Sequence, residues 1–367
     1  MPSSTSSSEF PDHGMVERAA PDRPWLTLAV VSLLGGGVAV AAWEARARDL
    51  GYTPTYSDTP NLWSERRALA RGVGPEQVVL IGASRILFDT NLETFRAEVG
   101  GPLPIQLATV GSNPLVILED LAKDPTYAGT TIVGIAPGLA AAAAGPPIAF
   151  PTRYVTHHAS WSPAQRFELP LALWLQDRFA LINPDLTLSN VVKGALGLSP
   201  RKDAYAPEFP PHMYTLDRTR QARMTVQVAT DPAKQHEIQQ IWLPLFKGPP
   251  KPAAFTEEQW AKMQADGWDA NRARFRAAVA AITARGGRVI LHRFPATGEV
   301  YELERKLMPN VLFWDRLVAD TGAPAISWED YPELQGFPCP EWSHLNAEDA
   351  IEYTRRLIRV LRREGLL

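Results

Sequence analysis

Cysteine is nearly absent from this sequence, since Cys339 is the only one among 367 residues. A single cysteine excludes a disulfide within the chain and a metal site built from several thiolates. Cys339 lies between two prolines and five residues before His344, so a cysteine–histidine nucleophile pair is conceivable. We interpret Cys339 as structural, because the flanking prolines restrict its backbone.

An excess of basic residues is also missing. The chain has 37 Lys and Arg against 40 Asp and Glu, which gives a formal net charge of −3. Because the chain has no excess of positive charge, we do not expect nucleic acid as its main partner. The first predicted turn also lacks Gly-x-Gly-x-x-Gly, and no acidic ribose ligand follows at the expected offset, which argues against a dinucleotide-binding protein. We therefore expect no cofactor, no metal and no nucleic acid.

Residues 25–43 form an uncharged run of 19 residues with Trp25 and Trp43 at its ends. This length is enough to span a bilayer, and tryptophans at both rims are typical of membrane interfaces. Residues 1–24 are polar and rich in Ser and Pro, which predicts a disordered tail. The tail lacks the basic start of a signal peptide, so we favour an uncleaved transmembrane anchor over a cleaved signal. Two arginines flank each side of the run, so charge does not decide its orientation.

Short aliphatic segments bounded by turn residues alternate with helical segments in the rest of the chain. This alternation predicts an α/β fold with a parallel sheet of five strands. The predicted strands are residues 78–81, 104–108, 131–136, 288–292 and 324–328. The predicted organisation is a connector (44–75), the first part of the α/β domain (76–139), a mostly helical insertion (140–257) and the second part of the domain (258–367). Helices are expected over residues 86–99, 258–285, 299–320 and 347–361.

The turn after the first strand contains Gly82, Ala83 and Ser84. Gly82 allows a tight turn, and Ser84 then stands where the strand gives way to a helix. In an open α/β sheet, this carboxyl edge is where ligands bind. Serine is also a favoured helix N-cap, and on the turn alone we favour that structural role.

An acid and a histidine, Glu341 and His344, lie three residues apart just before the last predicted helix. A serine nucleophile needs a base that accepts its proton, and the base needs an acid that holds its tautomer. The spacing lets one short loop present both groups to the same site. On its own, such a pair is also common at the solvated start of a helix.

Together, Gly82-Ala83-Ser84 and Glu341-x-x-His344 resemble the SGNH (GDSL-like) hydrolase superfamily, over residues 76–139 and 258–367. The resemblance implies a flavodoxin-like three-layer α/β/α sandwich with Ser84, His344 and Glu341 as catalytic residues. Gly111 matches the family's oxyanion-binding glycine. The family's Asn after the third strand is absent, so Asn113 is the candidate for the missing donor. Ala83 and Glu341 also depart from the family, which has Asp at both positions.

The resemblance implies acyl transfer, with water as acceptor in an esterase or a sugar hydroxyl as acceptor in an O-acyltransferase. Membrane-anchored relatives with a Gly-x-Ser-Arg block are similar to proteins that acetylate or deacetylate envelope and exported polysaccharides, often beside a membrane-bound O-acyltransferase. The expected location of the domain is then periplasmic or otherwise outside the cytoplasm. Arg85, His292 and Arg293 follow strands at the same sheet edge and are candidates for substrate contact. The alternative is a non-catalytic scaffold of this fold that binds a glycan or a membrane partner.

Overall fold

The computed structural model describes residues 24–187, 190, 192, 210, 212–248 and 250–367. The chain divides into two compact units, Met1–Arg46 and Ala47–Leu367. The tail predicted over residues 1–24 lies outside the described residues except for its last position. After Pro24, the described part of the first unit belongs to helix α1 (Trp25–Asp49), which is long and apolar enough to cross a membrane. Residues 25–43 of this helix are all exposed.

The second unit contains the α/β part of the chain. Its strands are β1 (Val78–Ile81), β2 (Ile105–Gln106), β3 (Thr130–Gly134), β4 (Tyr214–Leu216), β5 (Ala222–Met224), β6 (Arg288–Arg293) and β7 (Ala325–Ser327). The α-helices whose bounds are described there are α2 (Pro60–Leu69), α3 (Ser84–Asp89), α4 (Leu92–Val99), α5 (Leu115–Lys123), α6 (Pro137–Ala141), α7 (Pro146–Ala159), α8 (Pro163–Gln176), α9 (Val226–Thr230), α10 (Pro232–Phe246), α11 (Glu257–Thr283), α12 (Gly298–Leu307), α13 (Trp314–Thr321) and α14 (Ala347–Arg363).

Five of the strands form one parallel sheet in the order β2-β1-β3-β6-β7. The prediction of a five-stranded parallel sheet is therefore confirmed. This order belongs to the doubly wound α/β class, in which the chain moves outward from the first strand in both directions. The ends of β1, β3 and β6 consequently lie at one edge of the sheet, and the turn that contains Ser84 follows β1 there.

Alternate side chains of each strand enter two separate apolar clusters, because successive residues of a strand point to opposite faces. Val79 and Val133 pack with residues of α5, α11 and α13, whereas Leu80 and Ile132 pack with residues of α3, α4 and α14. Helices therefore cover both faces of the sheet. Burial on both faces explains why the strands read as continuous aliphatic runs rather than as alternating patterns.

Between β3 and α11 the described part of the insertion is mostly helical, as predicted, but it also contains an antiparallel hairpin of β4 and β5. Each of these strands has only three residues, too few to show a period of two in the sequence. The hairpin is attached to the sheet by Arg220, whose side chain is fully buried. Its guanidinium forms two bonds of 2.8 Å with Asp58 and donates to the carbonyl oxygens of Gln106 (2.9 Å) and Ala108 (2.7 Å).

Two predicted helices are each divided in the structure. The segment 86–99 forms α3 and α4. The first helix ends at Asp89, and Asn91 caps the second by accepting a hydrogen bond from the Thr94 N–H at 2.9 Å. The segment 299–320 forms α12 and α13, with Pro309 between them. Proline has no N–H and disfavours a helical residue before it, which accounts for the second break.

Candidate active site

Ser84 is the first residue of α3, directly after the turn that ends β1. An added Cβ on Gly82 would lie 2.8 Å from the carbonyl oxygen of Gly134, so only glycine fits this turn. The N-cap position belongs to Ala83, which has extended backbone angles. Ser84 is half-buried, and its hydroxyl has no hydrogen bond within the described part of the chain. The interpretation of Ser84 as an N-cap is therefore wrong.

Glu341 and His344 form a buried hydrogen-bonded pair, with 2.7 Å between Glu341 Oε1 and His344 Nδ1. The relative exposures are 0% for Glu341 and 1% for His344, which excludes the alternative of a solvated helix start. A carboxylate accepts hydrogen bonds, so Nδ1 is the donor of this bond, and in the neutral imidazole Nε2 then carries the lone pair. Nε2 is buried without a hydrogen-bond partner among the described residues. This is the tautomer that a general base requires.

A third residue, Trp242 of α10, completes the surroundings of the carboxylate. Its indole Nε1–H donates a hydrogen bond to Glu341 Oε2, the oxygen that His344 does not use. The indole and imidazole ring centroids are 6.0 Å apart. Sequence reasoning missed Trp242, because it is 99 residues from Glu341 and no local motif joins them.

Helix α3 packs against the segment that carries the acid and the histidine. The Phe88 ring lies 4.6 Å from the His344 ring, Arg85 Nε donates to Ser343 Oγ at 3.4 Å, and Asp89 Oδ1 accepts from the Leu345 N–H at 2.9 Å. Since Ser84 and Phe88 are four residues apart, they share one face of the helix. The structure therefore places the Glu341–His344 pair against the helix that Ser84 begins. It does not contain a Ser84–His344 hydrogen bond, a contact that often forms only when substrate is bound.

The two oxyanion-hole candidates have different surroundings. Gly111 has a φ of +63° and lies in the loop after β2, which is attached to the Ser84 turn by a 3.0 Å bond from the Thr109 N–H to the Gly82 carbonyl. Its role remains a prediction. Asn113 is buried, and its side-chain NH₂ donates to the carbonyl oxygens of Ala140 (3.0 Å) and Ala142 (2.9 Å). Because both amide protons hold the end of α6, we assign Asn113 a structural role instead of the expected oxyanion contact.

Arg85 lies next to Ser84 but points into the protein. It is 3% exposed and forms a bidentate ion pair with Glu304 of α12, with N–O distances of 3.1 and 2.6 Å. Its guanidinium also lies 5.6 Å from the centre of the Phe246 ring. Arg85 therefore does not have the expected contact with substrate. Its role is structural, because it joins α3 to α12.

His292 and Arg293 of β6 are also internal. His292 donates from Nδ1 to the Ile326 carbonyl oxygen at 2.9 Å, and its Nε2 accepts from the Tyr353 hydroxyl at 3.0 Å. Burial lowers the pKa of His292 to about 4, so it is neutral at physiological pH. Arg293 is 1% exposed and pairs with Glu329 at 2.7 Å. Both residues stabilise the packing around β6, and neither reaches the surface to meet a substrate.

Within the described residues, no group of three or more His, Cys, Asp or Glu side chains has the arrangement of a metal site. In comparisons with known proteins, no family model, no curated protein and no solved structure matches this chain. Function is therefore argued from the geometry and chemistry of the site itself.

Proposed function

We propose that this chain is a serine-dependent acyl-transfer enzyme in which Ser84 is the nucleophile, His344 the base and Glu341 the acid that orients the base. One observation carries the proposal. The 2.7 Å bond from His344 Nδ1 to Glu341 leaves a buried, unpaired Nε2 beside the helix that Ser84 begins. A buried nitrogen without a hydrogen-bond partner lowers the free energy of unfolding by about 1–3 kcal/mol. The presence of such an atom therefore favours a functional role.

The reaction follows from these positions. His344 Nε2 takes the proton of the Ser84 hydroxyl as Oγ attacks the carbonyl carbon of an ester, and Glu341 stabilises the imidazolium that forms. Main-chain N–H groups of Ser84 and Gly111 are the proposed donors to the oxyanion. When the tetrahedral intermediate collapses, the imidazolium gives its proton to the leaving alcohol, and the acyl group stays on Ser84. A second hydroxyl compound then removes the acyl group by the same steps in reverse.

The proposed substrate is an O-acylated polysaccharide of the cell envelope or an exported polysaccharide. Support comes from helix α1, which is long and apolar enough to hold the chain at a membrane, and from the resemblance to the SGNH hydrolases. With water as the acceptor the protein is an esterase, and with a sugar hydroxyl it is an O-acetyltransferase. In the second case a membrane-bound O-acyltransferase is the proposed partner that supplies the acyl group, and the domain acts outside the cytoplasm.

A fluorophosphonate probe tests the proposal, because it reacts covalently with a serine only when a base activates it. The full chain in detergent is treated with the probe, and the labelled peptide is identified by mass spectrometry. We expect the label on Ser84, no label in Ser84→Ala, and a labelling rate lower by about a thousandfold or more in His344→Gln. Ser343→Ala is the matched control, because this serine neighbours His344 and should be dispensable.

The opposite result would be a folded full-length protein that the probe does not label, or one in which Ser84→Ala is labelled as fast as the wild type. Either outcome would favour the non-catalytic scaffold. Circular dichroism of each variant establishes that it is folded before its labelling is compared.

A further inference from the structure

Trp242 connects the insertion to the acid–histidine pair. It lies on α10, is 6% exposed, and donates its indole N–H to Glu341 Oε2. Since Oε1 accepts from His344 Nδ1, both oxygens of the buried carboxylate have a donor. Two donors on different oxygens fix the rotation of the carboxylate as well as its position.

The contact is one of several along a single face of α10. Gln239 Nε2 donates to the carbonyl oxygen of Pro340 at 3.2 Å, one turn before Trp242. Phe246 lies over the Arg85 guanidinium, one turn after it. Positions 239, 242 and 246 share one helical face. This face of the insertion therefore packs on the segment that contains Glu341 and on Arg85 of α3.

We propose that Trp242 is a positioning residue for Glu341, and that the insertion is therefore part of the active site rather than an appendage to the fold. The inference depends on the proposed function of Ser84 and His344. In the free enzyme, the indole N–H holds the carboxylate in line with His344 Nδ1. It also shares the negative charge of the carboxylate, which favours His344 Nε2 as the acceptor of the serine proton.

The test compares Trp242→Phe with Trp63→Phe. The first variant keeps an aromatic ring against His344 but removes the N–H. Trp63 is the matched control, because it is fully buried and donates its indole N–H to a main-chain carbonyl, that of Leu107, at 2.9 Å. It belongs to the other apolar cluster of the protein. The rate of fluorophosphonate labelling is measured from pH 5 to pH 9 for the full chain.

In Trp242→Phe the carboxylate retains only His344 as a donor and favours its protonated form. We expect the midpoint of the pH–rate profile to rise by about one unit, so that the labelling rate is lower by about tenfold at pH values below the wild-type midpoint and is recovered at alkaline pH. The other titratable groups near the pair, Arg85, Asp89 and Glu304, are the same in both proteins. Trp63→Phe should leave the midpoint unchanged.

An unchanged midpoint in Trp242→Phe, or an equal shift in Trp63→Phe, would overturn the inference while the labelling of wild type still supported the proposed function. If the wild type is not labelled, the proposed function fails first. The role of Trp242 is then read from histidine-selective ¹⁵N NMR, with the His344 signal assigned through His344→Gln. A His344 signal that titrates at the same pH with and without the indole N–H would contradict the positioning role, and a shifted titration would support it.

Discussion

The ring centroid of Phe88 lies 4.6 Å from that of His344, and this contact connects the helix begun by Ser84 to the acid–histidine pair. Phe88 is 2% exposed, so the imidazole rests on a buried apolar surface. One face of the ring is thereby fixed, while Nδ1 is held by Glu341. The orientation of Nε2 follows from these two constraints.

Phe88→Ala should loosen His344 as well as the core. Removal of a buried phenylalanine ring lowers the free energy of unfolding by about 3–5 kcal/mol, measured by urea denaturation. We also expect slower fluorophosphonate labelling of the folded protein. Phe95→Ala is the control, because Phe95 is equally buried in the same apolar cluster, and a similar slowing there would show that stability alone is responsible.

Asp89→Asn should stabilise the protein at neutral pH. Burial raises the pKa of the Asp89 carboxyl well above its usual range, so the folded protein binds this proton more tightly than the unfolded chain. The wild type therefore loses stability as pH rises from about 4 towards the folded-state pKa. Asparagine has no such loss and keeps the oxygen that accepts the Leu345 N–H. Urea denaturation should show a higher free energy of unfolding for the variant at pH 7, and the advantage should shrink towards pH 4. A constant difference between the two proteins would contradict this.

His292 should produce the opposite pH dependence. Its pKa is lowered to about 4 by burial, so the unfolded chain binds a proton below pH 6.5 that the folded protein does not. The corresponding stability is present above pH 6.5 and is lost as pH falls to 4, by about 3 kcal/mol in total. His292→Gln should lack this loss, and denaturation curves at pH 4.5 and pH 7 compare the two proteins. Parallel pH dependence in wild type and variant would show that His292 titrates normally.

Arg220→Leu should detach the β4–β5 hairpin from the sheet. The change leaves Asp58 without its partner and the Gln106 and Ala108 carbonyls without their donor, at a cost of about 3–5 kcal/mol. Arg223→Leu in the same hairpin breaks a partly exposed pair with Asp217 and should cost about 1 kcal/mol or less. Thermal or urea unfolding measures both. Equal effects would show that the buried contacts of Arg220 contribute little.

Removal of residues 1–43 should release the protein from membranes. The full chain contains the apolar part of α1 and is expected to stay in the membrane pellet after an alkaline carbonate wash. The shortened chain keeps the compact unit Ala47–Leu367 and should appear in the supernatant. A full chain that the wash extracts, or a shortened chain that stays in the pellet, would contradict anchoring by α1.

Local patterns in the sequence were sufficient for the sheet. Aliphatic runs such as Val78–Ile81, each followed by a turn and a helix, specify buried parallel strands, and the predicted strands coincide with observed ones. The short β4 and β5 were not predictable, because three-residue strands have no measurable period. The breaks near Asn91 and Pro309 have local signals in the sequence, a helix cap and a helix breaker.

The sequence by itself determined the chemistry of Glu341 and His344, since three residues of loop bring an acid and an imidazole within reach of each other. Only the tertiary structure decided what surrounds them. Trp242 reaches Glu341 from 99 residues away, and the buried partners of Arg85, His292 and Arg293 lie on elements that no motif connects to them. A charged side chain at the end of a strand looks the same in the sequence whether it faces a substrate or an internal carboxylate. That difference depends on burial, which the packing of distant helices sets.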